Sequence, residues 1–552
     1  MKKTLLSLFC VVFSLFATYA QNDLTTVPYS FTHNSIALNI DHVDMPAVDA
    51  DKLLAEDAVT EKGTPLRVGI VHSVDFTFEN SGRTDILPDG SRLWRLAITS
   101  PDATLISVIF SKFNIPEGAM LHVYSSDRTQ VSQAYTNEDY AKTNGYMGTL
   151  DIVGDEITLE YYEPADAAFR GEIQIERVSH IYRDIMHLKN ASKGYWGDAE
   201  GDCHINAICS DGDPWRDQIN SVVCILISEN GESFMCSGAM INNVRQDKTP
   251  YVLTANHCST ASNAVFRFLF DYQTHTCDGT SGYNSRIAYG GEVIASAGYN
   301  GNNNLSSSSD FLLLKITGEI PASAQRNLVF AGWDASGSSS VGIAVHHPGG
   351  DYKKISFPRV VASPGGTYNK YWIVGWYSNP NRGCTEQGSS GSPLFNANGR
   401  IIGDLSTGSS ACDNMSGTDS YGKFSYSWTN SNNSNNARKL KPWLDPDNTG
   451  ALSMPGMRYD GTPVGVENYI TSDRTFIASP NPSDGRIFLK GSFEQGNALC
   501  NVYDAAGTLV HSSTVDAAPT FQMNLSNLSD GIYFMEIVQG KKVYNSKLVI
   551  VK

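Results

Sequence analysis

Cysteine is missing from residues 21–202, and the chain carries neither a C-x-x-C pair nor two histidines at the spacing a zinc site needs. That argues against a metal centre, and no other motif asks for a cofactor, so neither is expected. Charge is scarce too: Asp, Glu, Lys and Arg make up 18% of the 552 residues, and the balance is acidic, at −16. Without a basic cluster there is nothing to grip a phosphate backbone, which excludes a nucleic-acid partner. Past the first twenty residues no apolar run is long enough to cross a bilayer. A repeat of solenoid type is also absent.

What is present begins with "MKKTLLSLFCVVFSLFATYA": two lysines, an apolar stretch and the small-residue end Ala17-Thr18-Tyr19-Ala20. This is the pattern of an export signal, assigned to residues 1–20, and it sends the chain to an oxidising compartment. Nine cysteines remain; eight fall between Cys203 and Cys412, and Cys500 stands apart. An even set confined to one segment of an exported protein reads as disulfides within one domain. The length calls for several domains, and 48 glycines with 26 tyrosines suit β structure better than a helical enzyme.

Short strands set off by Pro, Gly and Asp fill residues 21–193 ("SRLWRLAITS", "ATLISVIFSKF", "GAMLHVYSS"), which predicts a β-sandwich. Residues 194–456 hold the cysteine set and further strands, such as "YVLTA", "AVFRFLFDY", "DFLLLKI" and "RIIGDLS", closed by a helix around "ARKLKPWLDP". Residues 457–470 read as a linker. From 471 to 552 a third β pattern ends the chain, and its spacing predicts a sandwich of about seven strands. The fold class is all-β.

Residues 383–395, "GCTEQGSSGSPLF", pack glycines and serines just ahead of an apolar strand. An ordinary loop explains the glycines and serines; a nucleophilic Ser390 also explains the strand that follows. A serine needs a base held by a carboxylate. Among the histidines of this segment His257 stands out, because "YVLTANHC" is an apolar strand running into a tight turn that Cys258 can tie down. The carboxylate candidate is Asp310 in "SSSSDFLLLKI", at the mouth of an apolar strand where an unpartnered charge would be costly. The order His257, Asp310, Ser390 is the chymotrypsin-like one. An α/β-hydrolase elbow would need glycine where Ser392 stands, and no histidine lies between Ser390 and His511. Backbone N–H groups of Gly388 and Ser390 form the candidate oxyanion hole.

With these residues in view, segment 194–456 resembles the bacterial lysyl endopeptidases (Lys-C type), a branch of the chymotrypsin-like serine proteases. The resemblance is carried by "CHINAICSDGD", "YVLTANHC", "SDFLLLKI", "FAGWD", "AVHHPGG", "TEQGSSGSPLF" and "DSYGKF". It implies two six-stranded antiparallel barrels with the triad between them, and disulfides Cys203–Cys412, Cys209–Cys277 and Cys236–Cys258. Cys224 and Cys384 are left over, open to pairing with each other. Trypsin-like enzymes place an acid six residues before the nucleophile, where this chain has Cys384. The resemblance instead points to Asp419, in "TDSYGKF", as the pocket acid that receives a substrate lysine. Two departures alter the expected pocket wall: Ser406 in "GDLSTG" where the family has histidine, and Ser363 in place of a tryptophan.

The implied activity is endopeptidase cleavage after lysine. A glutamyl endopeptidase on the same fold is the alternative, opposed by Asp419; a non-catalytic adhesin is a further one, opposed by the intact triad. Residues 21–193 resemble the family's propeptide, with Lys189 and Lys193 as processing sites in "HLKNASKGYWGDAEGDC". The end of the chain, through "ASPNPSDG", "NVYDAAGTLV" and "DGIYFMEIVQGKKVYNSKLVIVK", resembles sorting domains of type IX secretion cargo. The expected partners are therefore protein and peptide substrates and the type IX machinery. The expected location is outside a Gram-negative cell, free or on its outer-membrane surface, and the expected state is a monomer.

Overall fold

The computed structural model describes residues 27–33, 40–60, 62–141, 145–185, 203–259, 261–279, 282, 286–298, 309–337, 340, 342–362, 369–376, 383–429, 434–464, 476–491, 493–504, 508–539 and 542–552. The chain divides into two units, Met1–Pro463 and Val464–Lys552. The export signal, Ser363, Lys189 and Lys193 lie outside the described residues.

The first unit opens with strands β1 (Asp41–Asp44), β2 (Leu66–Phe76), β3 (Arg83–Ile86), β4 (Arg92–Thr99), β5 (Leu105–Asn114), β6 (Met120–Ser125), β7 (Glu156–Glu163) and β8 (Glu172–Ile181). One sheet runs β1-β4-β7-β6 with β3 also on β4, and the other runs β2-β8-β5. Alternate residues point inward, as a pleated strand requires. Leu96 and Ile98 of β4 thus meet Val108 and Phe110 of β5 across a dry core. This is the expected sandwich.

A barrel follows: β9 (Val222–Glu229), β10 (Glu232–Ile241), β11 (Tyr251–Ala255), β12 (Val265–Leu269), β13 (Ile287–Tyr289), β14 (Gly291–Ser296) and β15 (Phe311–Ile316). Their order is β13-β12-β9-β10-β11-β15-β14. Only Gly290 separates β13 from β14; its N–H donates to Phe266 O and its carbonyl accepts from Thr317 N–H. One bent strand therefore lies at both ends of the order, and six strands close on themselves. The second barrel repeats the device with β16 (Ile343–His346), β17 (Lys354–Ser356), β18 (Pro358–Ala362), β19 (Tyr371–Trp376), β20 (Pro393–Phe395), β21 (Arg400–Gly408) and β22 (Thr418–Lys423). Here the order is β17-β16-β20-β21-β22-β19-β18, and only Phe357 separates β17 from β18. A cluster around Trp333, Phe424 and Trp428 joins Leu253 and Leu313 of the first barrel to Ile343 and Phe395 of the second. The fold is the expected pair of six-stranded barrels.

Two details differ from expectation. The expected helix around "ARKLKPWLDP" is a 3-10 turn, Asn436–Arg438, and one α-turn, Lys441–Leu444, with a proline as its second residue. The segment expected to open the linker is bound instead: Gly456–Arg458 pairs with Val329–Phe330, and Met457 is buried.

The N-terminal sandwich and the first barrel share one sheet. β2 pairs antiparallel with β10, Leu66 opposite Met235 and Ile70 opposite Glu232. That explains why every residue of β9 is buried. Val223, Ile225 and Ile227 face the barrel interior, while Cys224 and Leu226 face Leu66, Val68 and Ile181. A buried ion pair adds to the contact: Arg267 of β12, 1% exposed, meets Asp151 and donates to Ser107 Oγ at 3.0 Å and Ser228 Oγ at 2.7 Å.

The second unit has β23 (Ile477–Ser479), β24 (Arg486–Lys490), β25 (Gly496–Asp504), β26 (Leu509–Ala517), β27 (Thr520–Asn524), β28 (Gly531–Gln539) and β29 (Lys542–Ile550). They form sheets β23-β24-β27 and β26-β25-β28-β29. In β25 the inward residues are Ala498, Cys500 and Val502, and in β28 Tyr533, Met535 and Ile537. No helix among the described residues is long and apolar enough to cross a membrane.

Asp151→Ala leaves the Arg267 charge buried without its carboxylate, a defect of about 3–5 kcal/mol. Chemical denaturation of the full chain should show a loss of that order, whereas the exposed pair Lys112–Glu172 should give little when cut.

Candidate active site

The "GCTEQGSSGSPLF" run is a loop pinned at nearly every residue. Glu386 accepts from the His204 ring at 3.0 Å and from Cys412 N–H at 3.2 Å. Burial pushes its pKa up, but these hydrogen bonds and the nearby charge of Lys62 outweigh that and hold it below the usual carboxylate value. Ser389 Oγ meets His346 Nδ1 at 2.8 Å, and the far side of that ring meets Ser356 Oγ at 2.8 Å. Burial first, then neighbouring His204 and His347, push the His346 pKa well down, so the ring is neutral. Gly388 has φ +88, and a Cβ there would lie 2.8 Å from both Gly350 N and His347 O. Its carbonyl accepts from Ser237 Oγ at 3.0 Å. Among the described residues the N–H groups of Gly388 and Ser390 donate to no acceptor. Two donors left without an acceptor in a buried turn could receive a negative oxygen, as the expected oxyanion hole requires.

The loop packs on the strand that delivers His257. Ser390 O accepts from Ser237 N–H at 2.8 Å, and a Cβ on Gly391 would lie 2.0 Å from Thr254 Oγ1. His257 follows β11 in a short 3-10 turn, Asn256–Cys258, tied to β10 by Cys236–Cys258. Its Nδ1 and Asp310 Oδ2 are 2.7 Å apart, and its backbone N–H donates to Asp310 Oδ1 at 3.0 Å. Asp310 holds φ +64, a left-handed backbone unusual for a non-glycine residue. Such strain is kept where surrounding bonds over-determine it. With Nδ1 bonded to the carboxylate, Nε2 is the free face of the ring; it is buried and has no hydrogen-bond partner.

The expected pocket residue Asp419, on β22, is fully buried. Trp376 Nε1 donates to Oδ2 at 2.6 Å, Thr385 Oγ1 at 2.7 Å, and Ser410 Oγ also donates there. On Oδ1 sits an ammonium from the N-terminal sandwich: Lys62 Nζ at 2.7 Å. The same Nζ donates to Thr385 O at 2.6 Å, Ser410 O at 3.1 Å and Ser410 Oγ at 2.9 Å. Ser406, expected on the pocket wall, turns its hydroxyl to Asp310 Oδ2 at 2.6 Å. Sequence reasoning missed Lys62, Trp376, Thr385 and Ser410; only Thr385, next to the expected trypsin position Cys384, had a signal.

All three expected disulfides are formed. Cys224 and Cys384 are not joined; both are buried thiols, as is Cys500. Cys384 Sγ lies 3.7 Å from Cys203 Sγ, and burial pushes its pKa up to about 12. Cys203, His204, Cys384 and Cys412 bring four donor atoms within 4.8 Å. Two of those sulfurs are spent on the Cys203–Cys412 bond, which leaves a poor set for a metal.

Family models match three stretches of the chain. A lysyl endopeptidase C-terminal domain matches residues 197–422, and a lysyl endopeptidase N-terminal domain matches residues 44–182. The chain belongs to the lysyl endopeptidase family. A secretion system C-terminal sorting domain matches residues 479–551. The lysyl endopeptidase of Pseudomonas aeruginosa is 27% identical over 380 residues, covering 63% of this chain and 76% of that one. Among solved structures, a thermostable serine protease, AL20, from an extremophilic microorganism is 16% identical and covers 38% of this chain and 92% of its own, with TM-score 0.28. Protease Anisep from Arthrobacter nicotinovorans is 17% identical over 37% of this chain and 90% of its own, with TM-score 0.28. As a member of the lysyl endopeptidase family with a sorting domain, the protein is a secreted serine endopeptidase of a Gram-negative bacterium, located outside the cell or at its surface.

Gly391→Ala tests how tightly the loop is set. Its φ is +79 and its Cβ would collide with Thr254 and the backbone of Ser237. Strain and overpacking together should remove roughly 2–4 kcal/mol from unfolding free energy, read by denaturant titration.

Proposed function

We propose that the enzyme cleaves peptide bonds after lysine through an acyl-enzyme on Ser390. His257 Nε2 takes the Ser390 proton as Oγ attacks the carbonyl carbon, then returns it to the leaving amine. Asp310 fixes the ring with Nδ1–H toward the carboxylate and stabilises the imidazolium that forms. The Ser406 hydroxyl holds Asp310 Oδ2 in that position. The free N–H groups of Gly388 and Ser390 receive the oxyanion, and water then repeats the sequence to release the acid.

Lysine preference is carried by one observation, the buried Asp419 carboxylate bonded to an ammonium at 2.7 Å. A carboxylate with no exposure favours a cation above it and repels the acid that a glutamyl enzyme would have to admit. Two carbonyls and one hydroxyl complete the cage around that ammonium. With Oδ1 they make four acceptors clustered around one nitrogen, an arrangement that suits a compact ammonium better than a planar guanidinium. The enzyme is read as a monomer that matures by cutting after Lys193 or Lys189.

Ser390→Ala should lower turnover of a lysyl ester by several orders of magnitude, and a phosphonylating reagent should label Ser390 alone in the unaltered enzyme. Full activity in the variant contradicts the triad. Asp419→Asn keeps the shape but not the charge, and should cost about 2–4 kcal/mol in kcat/KM for lysyl substrates. Unchanged lysyl activity assigns the pocket to another acid, and predominant cleavage after glutamate supports the glutamyl alternative. Maturation has its own check: the Ser390→Ala precursor should stay intact alone and be cut after Lys193 or Lys189 when active enzyme is added.

A further inference from the structure

The ammonium over Asp419 belongs to the chain itself, and its backbone is placed unlike a substrate's. Lys62 fills the pocket with a side chain only 10% exposed. Its carbonyl oxygen accepts from Thr407 Oγ1 at 2.8 Å. Among the described residues it accepts from neither Gly388 nor Ser390 N–H, so the bond after Lys62 lacks the polarisation that acylation needs.

The segment is held on both sides. Ahead of it, the helix Ala50–Asp57 ends in Asp57, which is buried and bonded to Tyr182 Oη at 2.6 Å and Arg183 at 2.6 Å. Behind it, Leu66 starts β2 on its ladder with β10. Arg67 ties the two sides together, bonding both Asp57 and Glu232 at 2.9 Å. Leu66 also approaches the oxyanion turn: its Cδ2 is 3.1 Å from where a Gly388 Cβ would stand.

We propose that Lys62 is a built-in substrate mimic, a lysine that occupies the specificity pocket without presenting its peptide bond, and so keeps the precursor inactive toward lysyl substrates. This rests on the reading of Asp419 as the lysine pocket. Because the mimic is tethered, its effective concentration is that of an intramolecular ligand, which a free substrate must exceed. Cutting the junction after Lys193 does not remove it, since Lys62 lies within residues 21–193 and is held by β2. Activation therefore needs a second event, the departure or destruction of the N-terminal sandwich.

The test uses the full precursor with Lys189→Gln and Lys193→Gln, beside processed enzyme freed of its sandwich. Ser390 labelling is timed with a small fluorophosphonate and with a phosphonate bearing a lysyl side chain. The lysyl reagent should label the precursor at least about tenfold more slowly than processed enzyme, and Lys62→Gln should restore about tenfold of that rate. Equal labelling of precursor and processed enzyme by the lysyl reagent overturns the proposal. So does a Lys62→Gln precursor that labels normally with the small reagent but no faster with the lysyl one. Cleavage after Lys62 at the rate of an ordinary lysyl peptide, read by mass spectrometry, makes it a processing site and overturns the proposal as well. Should Lys62→Gln fail to fold, the comparison of the two reagents on the unaltered precursor decides. Processed enzyme that takes a glutamyl phosphonate as readily as the lysyl one sinks the pocket reading instead, whatever Lys62 does.

Discussion

A carboxylate with no exposure must be compensated or neutralised, and the second barrel is arranged around that requirement at Asp419. Trp376 of β19 and the hydroxyls of Thr385 and Ser410 converge on one oxygen. The other oxygen receives a cation. Trp376 and Ser410 reach Asp419 because β19, β21 and β22 lie side by side in one sheet, while Thr385 comes from the loop before β20 and Lys62 from the N-terminal sandwich. The surroundings of Asp419 are therefore assembled by the fold from distant segments rather than by any one local motif. The proposed preference for lysine rests on an unpaired buried charge being far costlier than a paired one.

The same economy of placement governs the reacting groups. His257 and Asp310 sit at adjoining ends of β11 and β15, where Ala255 pairs with Phe311. Ser390 comes from the second barrel, on a loop whose Gly391 N–H donates to Leu405 O of β21. Ser237 of the first barrel reaches across, its N–H to Ser390 O and its hydroxyl to Gly388 O. A shift of one barrel against the other would move Ser390 relative to His257. The Trp333, Phe424 and Trp428 cluster opposes that shift.

Much of this was legible in the chain because its signals are local. "YVLTANHC" and "SSSSDFLLLKI" each couple an apolar strand to one polar residue that needs a partner, and the partner is the other. The strand alternation "GNALCNVYD" sets the inward face of the terminal sandwich without any knowledge of its neighbours. What could not be read depends on distant pairing. Lys62 meets Asp419 across 357 residues, and "TEKGTPLRV" carries no periodicity that announces it. Ser406 is expected at the pocket wall because it stands where the resembling family has a histidine, but its hydroxyl donates to Asp310 Oδ2 instead. Cys224 and Cys384 were an even remainder on paper; in the fold Cys224 lies under the N-terminal sandwich and Cys384 lies beside Cys203, so no bond joins them.

The central claim is that the Asp419 charge selects lysine. Its most direct measurement is the cleavage profile of the processed enzyme on a denatured protein mixture, read as the residue preceding every new N-terminus. Lysine is expected at that position across the profile, with arginine rare and glutamate absent. A profile dominated by glutamate, or one without preference for a cation, contradicts it.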